Sequence, residues 1–188
     1  MESWGEWWNK GIALSNLDRY ADALVCFDRV IAIDPRNANA WHAKGLALAS
    51  LERHGDAVAS FDRALQISPE FAEAWIAKGR ALNLSERSAD ACVCFDHAIG
   101  INPHLRKAWL YKGMALFNLY QFEMAIPCFG KALELDPTDS QAWLNKGFCE
   151  EHLERPDEAK QSYGKFLQLA SPAQTSLIEK VRRKLQEL

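Results

Sequence analysis

The chain has 188 residues, 48% of them apolar and 25% charged, with a net charge of −3. That is apolar material for one compact domain or one repeat array, and too little charge for a general attraction to nucleic acid or an anionic membrane. No apolar run reaches the roughly 18–20 residues of a membrane span, Met1-Glu2-Ser3-Trp4 lacks the basic and apolar regions of a signal peptide, and five cysteines, an odd number, fit a reducing compartment. These features lead to an expected cytoplasmic location.

From the N-terminus one pattern returns five times. Trp7, Trp41, Trp75, Trp109 and Trp143 stand 34 residues apart, and four residues after each comes Gly11, Gly45, Gly79, Gly113 or Gly147. The preceding residue is always lysine, from Lys10 to Lys146. Ala23, Ala57, Ala91, Ala125 and Ala159 follow in phase, then Phe27, Phe61, Phe95, Phe129 and Tyr163. Pro35, Pro69, Pro103 and Pro137 close the first four units. The units run 4–37, 38–71, 72–105, 106–139 and 140–171. Such self-similarity identifies a repeat architecture before any other signal is weighed.

Each unit predicts two helices. In the second, Trp41, Gly45 and Leu48 share one helical face, and Ala57, Phe61, Ala64 and Leu65 share another. A polar turn, Glu52-Arg53-His54-Gly55, separates them. The Asp34-Pro35, Ser68-Pro69, Asn102-Pro103 and Asp136-Pro137 pairs end the second helices, because proline lacks an N–H and pushes its predecessor out of helical geometry.

Departures from the pattern cluster near the ends. Val30 and Phe166 replace Ala64, Ala98 and Ala132; Glu150 replaces Leu14, Leu48, Leu82 and Leu116; Lys160 replaces Leu24, Val58, Cys92 and Ile126. Pro127 falls inside a predicted helix, whereas Pro156 suits a first helical position. Past unit five, Ser171-Pro172-Ala173-Gln174 reads as a capping box, and Leu177, Ile178, Val181, Leu185 and Leu188 make one stripe. The segment 172–188 is expected to be a capping helix over the apolar end of the stack. No equivalent precedes Trp7, so the expectation is either an exposed N-terminal end or a chain cut from something longer.

The tryptophan, glycine, alanine, aromatic, alanine and proline frame resembles the tetratricopeptide repeat family over residues 4–171. The resemblance implies an all-α, right-handed superhelical solenoid of helix-turn-helix repeats, a single array over 1–188, with eleven helices and no strand. It also implies a protein-binding groove lined by the first helix of each unit. The expected groove residues are Arg80, Asn83, Lys107, Leu110, Tyr111, Met114, Phe117, Leu144, Asn145 and Phe148. The apolar ones are expected to be exposed and to take an apolar or amphipathic partner segment. The carboxylate clamp of some members does not map: its lysine and first asparagine would fall on Trp8 and Ile12, His42 and Leu46, or Ile76 and Arg80.

Chemistry is not expected. Cys26, Cys94 and Cys128 share a repeat position with Ser60 and Ser162, so the position asks for a small residue, and Cys92 and Cys94 point to different helix faces. No zinc spacing, phosphate loop or nucleophile elbow is present, and the five histidines are scattered. The recurrent lysines are expected to lay their stems on the tryptophans. A non-catalytic scaffold for a protein or peptide partner, without metal or cofactor, is therefore the leading expectation. The alternative is a homo-oligomer stacking through Trp4 and Trp8. RNA ranks last, since Arg80 and Lys107 are balanced by Glu73 and Glu151.

Overall fold

The computed structural model describes residues 3–188. Among these it contains eleven α-helices and no strand, as expected from the repeat. They are α1 (Trp4–Asn16), α2 (Tyr20–Ile33), α3 (Ala38–Ser50), α4 (His54–Ile67), α5 (Ala72–Leu84), α6 (Ser88–Ile101), α7 (Arg106–Asn118), α8 (Phe122–Leu135), α9 (Ser140–His152), α10 (Pro156–Leu169) and α11 (Thr175–Glu187), with a short 3₁₀ turn at Pro172–Gln174. The chain divides into two compact units, Met1–Asn102 with α1–α6 and Pro103–Leu188 with α7–α11.

Within each unit a first helix packs on its own second helix, which packs on the next first helix: α1 on α2 and α2 on α3 in one unit, α8 on α9 and α10 on α11 in the other. The recurrent glycine permits the first of these contacts. A Cβ built on Gly45 would lie 2.5–2.9 Å from three atoms of the Phe61 ring, and one on Gly147 would meet Tyr163 at 2.7 Å. These distances are too short for carbon contacts, so the aromatic fills the space the side chain vacates. Phe27, Phe61, Phe95, Phe129 and Tyr163 are all fully buried.

The turn inside each hairpin has its own repeat. Asp18, Glu52, Glu86, Tyr120 and Glu154 take left-handed φ of 55–61°. The next residue's N–H donates to the carbonyl five back, as in Arg53 to Leu48 (3.0 Å) and Arg155 to Glu150 (3.0 Å). This ends the first helix and satisfies one of its last carbonyls. α4 already starts at His54, so Gly55 lies in the helix rather than in the turn expected from sequence. Pro127 is the sixth residue of α8 and does not end it: α8 has 14 residues, like α4 and α10. Pro156 opens α10 as expected.

The tryptophans bond across repeat junctions. Indole Nε1–H of Trp41, Trp75, Trp109 and Trp143 donates to the carbonyl of Pro35, Pro69, Pro103 and Pro137, at 2.8–3.0 Å. Lysine ammoniums lie over the rings of Trp7, Trp41, Trp75 and Trp143 at 5.0–5.5 Å, as the shared spacing implied.

α11 closes the second unit. Val181 is fully buried with Leu144, Ala159, Tyr163 and Phe166, and Leu177, Ile178 and Leu185 pack around them. The Ser171–Gln174 capping box forms at the start of the 3₁₀ turn.

Candidate partner-binding surface

In the second unit α7, α9 and α11 surround a cavity of about 420 Å³, lined by Met114, Phe117, Asn118, Asn145, Phe148, His152, Lys180 and Lys184. The periodicity of α7 places Met114 and Phe117 on one face, and Phe148 stands at the same repeat position on α9 as Met114 does on α7. Four expected groove residues, Met114, Phe117, Asn145 and Phe148, thus line one concavity.

The others do not join it. Leu110 and Leu144 are 7% and 1% exposed, which corrects their expected projection into a groove. Both occupy the fifth position of a unit, as does buried Ile76, and Leu144 is sealed beneath Val181 of α11. In the last three repeats that position belongs to the core, although Trp8 and His42 are only half-buried there in the first two, whereas the ninth position stays open at Ile12 and Leu46. Lys107 is exposed and Tyr111 half-buried, both outside the lining. Arg80 and Asn83 lie in the other unit. Arg80 is exposed, and Asn83 accepts a hydrogen bond from the Ser88 hydroxyl at 2.7 Å.

Phe148 is half-buried rather than freely exposed. Its ring meets Tyr163 edge-on with centroids 5.7 Å apart, and the Lys180 and Lys184 ammoniums lie 5.3 and 5.8 Å from its centre. Truncating it would remove packing as well as any partner contact. The two lysines come from the capping helix, and no repeat position could have pointed to them.

Glu151 anchors this wall. One of its carboxylate oxygens accepts from the Tyr163 hydroxyl and the other from the Lys184 ammonium, joining α9, α10 and α11. Burial alone would raise its pKa, but these hydrogen bonds, the Lys184 charge and the electrostatic influence of His152 pull it below the ordinary 4.5. The same contact, with burial acting first, raises the Tyr163 hydroxyl far above 10. His152 Nδ1–H donates to the Phe148 carbonyl at 2.7 Å, and its ring sits against Phe117 and Phe122. The Asn145 Oδ1 accepts from Gln141 at 3.0 Å, while its buried Nδ2 has no partner.

A larger concavity, about 610 Å³, lies in the first unit beside Glu70, Asp96 and His97. His97, exposed to solvent, stacks on Trp75 with ring centroids 4.4 Å apart. Among the described residues no group of three or more metal-ligating side chains occurs. Burial pushes the thiols of Cys94 and Cys149 up to about 11 and about 12, which leaves little thiolate. No helix among the described residues is long and apolar enough to cross a membrane.

Paired helices in a fixed 34-residue frame, with a concavity on the first-helix side, define a helical-hairpin repeat protein. Family models of the tetratricopeptide repeat match residues 9–70, 107–139 and 128–161, and the chain belongs to that family. No curated protein matches the sequence. Among solved structures, YrrB, described as a TPR protein with an unusual peptide-binding site, superposes with a TM-score of 0.76 at 23% identity over 93% of this chain and 90% of its own. MamA (41-end) from Desulfovibrio magneticus RS-1 gives 0.83 at 22% over 88% and 94%. TTC0263, a thermophilic TPR protein from Thermus thermophilus, gives 0.73 at 19% over 98% and 100%. At these identities the likeness shows the fold.

Proposed function

We propose that this protein is a non-catalytic interaction scaffold that binds a segment of a partner protein in the α7–α9–α11 concavity. The observation that carries the reading is the cavity itself, in which Met114, Phe117 and Phe148 form an apolar floor inside a polar rim. Concave, mostly apolar sites with a few directed polar groups are where proteins hold ligands. Methionine and aromatic side chains adapt to an apolar anchor. The unusual peptide-binding site for which YrrB is described is a supporting analogy of fold.

A photo-crosslinking residue placed at Asn118, an exposed position on the rim, tests this. Crosslinks should map by mass spectrometry to one short segment of a partner and disappear when Met114→Glu is added. A control crosslinker at exposed Arg29 should not capture that segment. Crosslinks to a second copy of this chain would favour self-assembly, for which Trp4, 50% exposed on α1, is the candidate contact. Crosslinks indifferent to Met114→Glu would remove the cavity from consideration.

A further inference from the structure

The polar groups around the cavity are unevenly satisfied. Lys184 is neutralised by Glu151. Lys180, one turn earlier on α11 and exposed, makes a contact with the Phe148 ring, and no ion pair to it occurs among the described residues. At the floor, Asn145 spends its oxygen on Gln141 and keeps a buried amide N–H₂ without an acceptor. A buried donor left unpaired is costly, because it has given up its bonds to water for none in return. Both unmet groups are donors, one of them cationic, and both therefore call for acceptors on whatever fills the apolar space.

We infer that the concavity selects a partner segment in which an apolar side chain is followed by an acidic one. The apolar group lies on Met114 and Phe148, the side-chain carboxylate meets Lys180, and a backbone carbonyl accepts from Asn145 Nδ2. This rests on the binding reading given above. One free ammonium matches one carboxylate. The exposed rim at Asn118, His152 and Lys180 lets a chain pass over the cavity and continue, which favours an internal acidic side chain over a chain terminus.

The test uses the full chain and four nine-residue peptides with a central leucine. Three are acetylated and amidated, with Glu, Gln or Lys after the leucine; the fourth has Gln elsewhere and ends in a free carboxylate directly after the leucine. Affinities are read by fluorescence anisotropy. The Glu peptide should bind roughly tenfold more tightly than the Gln peptide, equivalent to about 1.4 kcal/mol. That preference should shrink in Lys180→Gln, shrink with added salt, and reverse in Asn145→Asp, Lys180→Gln combined. Equal binding of the Glu and Gln peptides, with both lost in Met114→Glu, overturns the acidic preference and leaves the binding reading standing. Tighter binding of the Lys peptide or of the free-carboxylate peptide also overturns it. No binding of any peptide at millimolar concentration overturns both.

Discussion

The second and fifth repeats share a frame and differ in how they treat charge. In the second, Lys44 reaches back to Asp28 on the preceding helix at 2.7 Å, and Leu48 is buried one turn on. Lys78 does the same with Asp62 at 2.6 Å. In the fifth, the equivalent of Asp28 and Asp62 is Gly130, and Lys146 instead binds Glu150 on its own helix at 2.9 Å. Glu150 stands where Leu48 does, is 2% exposed, and keeps one carboxylate oxygen without a partner. The lost aspartate and the intruding glutamate are one exchange: the lysine keeps a carboxylate, and the core gives up a leucine to supply it. In both repeats the lysine has a carboxylate partner, drawn from different positions of the frame.

The comparison breaks most sharply if the charge is moved. Leu48→Glu should destabilise the protein by roughly 3–5 kcal/mol, because Lys44 is already held by Asp28 and the new carboxylate is buried alone. In the fifth repeat, Glu150→Leu combined with Gly130→Asp restores the arrangement of the second and should be neutral or stabilising, by up to about 4 kcal/mol. Chemical denaturation measures both, and a destabilised double variant would mean that Glu150 is not an exchange partner. Next in size is the feature both repeats share. Gly45→Ala and Gly147→Ala should each cost about 1–3 kcal/mol, since the aromatic opposite cannot withdraw without disturbing its own neighbours.

The fifth repeat differs again through Glu151, which has no counterpart role in the second. Its native pKa is depressed, so its contribution is complete above the unfolded value near 4.5 and is lost as pH falls through the lower native value. Wild type should exceed Glu151→Gln in stability at neutral pH, and the gap should narrow on acidification below about 4.5; a gap independent of pH would detach the network from the cap. The smallest effect is expected in the turns. Glu154→Gly relieves a left-handed backbone at φ 55° and should raise stability by less than about 1 kcal/mol, as should Glu52→Gly at φ 60°.

The fold was legible because its determinants are local and repeated. Tryptophan spacing set the frame, Asp34-Pro35 and its equivalents marked the helix ends, and the stripe from Leu177 to Leu188 announced a helix that covers a core. The surface was half legible. Helical period put Met114, Phe117 and Phe148 on one face, where they line a common cavity, but a face is wide, and period alone does not separate the ninth position from the fifth, where neighbouring helices bury Leu110 and Leu144. Lys180 and Lys184 were out of reach for another reason: α11 lies outside the repeat, so no register related its residues to Phe148. The bond from indole to proline was likewise hidden, although both partners were in plain view, because a recurrent pair of residues does not reveal which atoms meet.

That bond joins residues only six apart in sequence, yet it spans the boundary between one repeat and the next. Any 34-residue stretch copied in frame therefore arrives with its connector built in: the proline that closes one copy already faces the tryptophan that opens the following one. Unequal recombination within the gene could lengthen such a protein by a whole repeat without inventing a contact, which makes the length of the chain easier to change than any single position in its core.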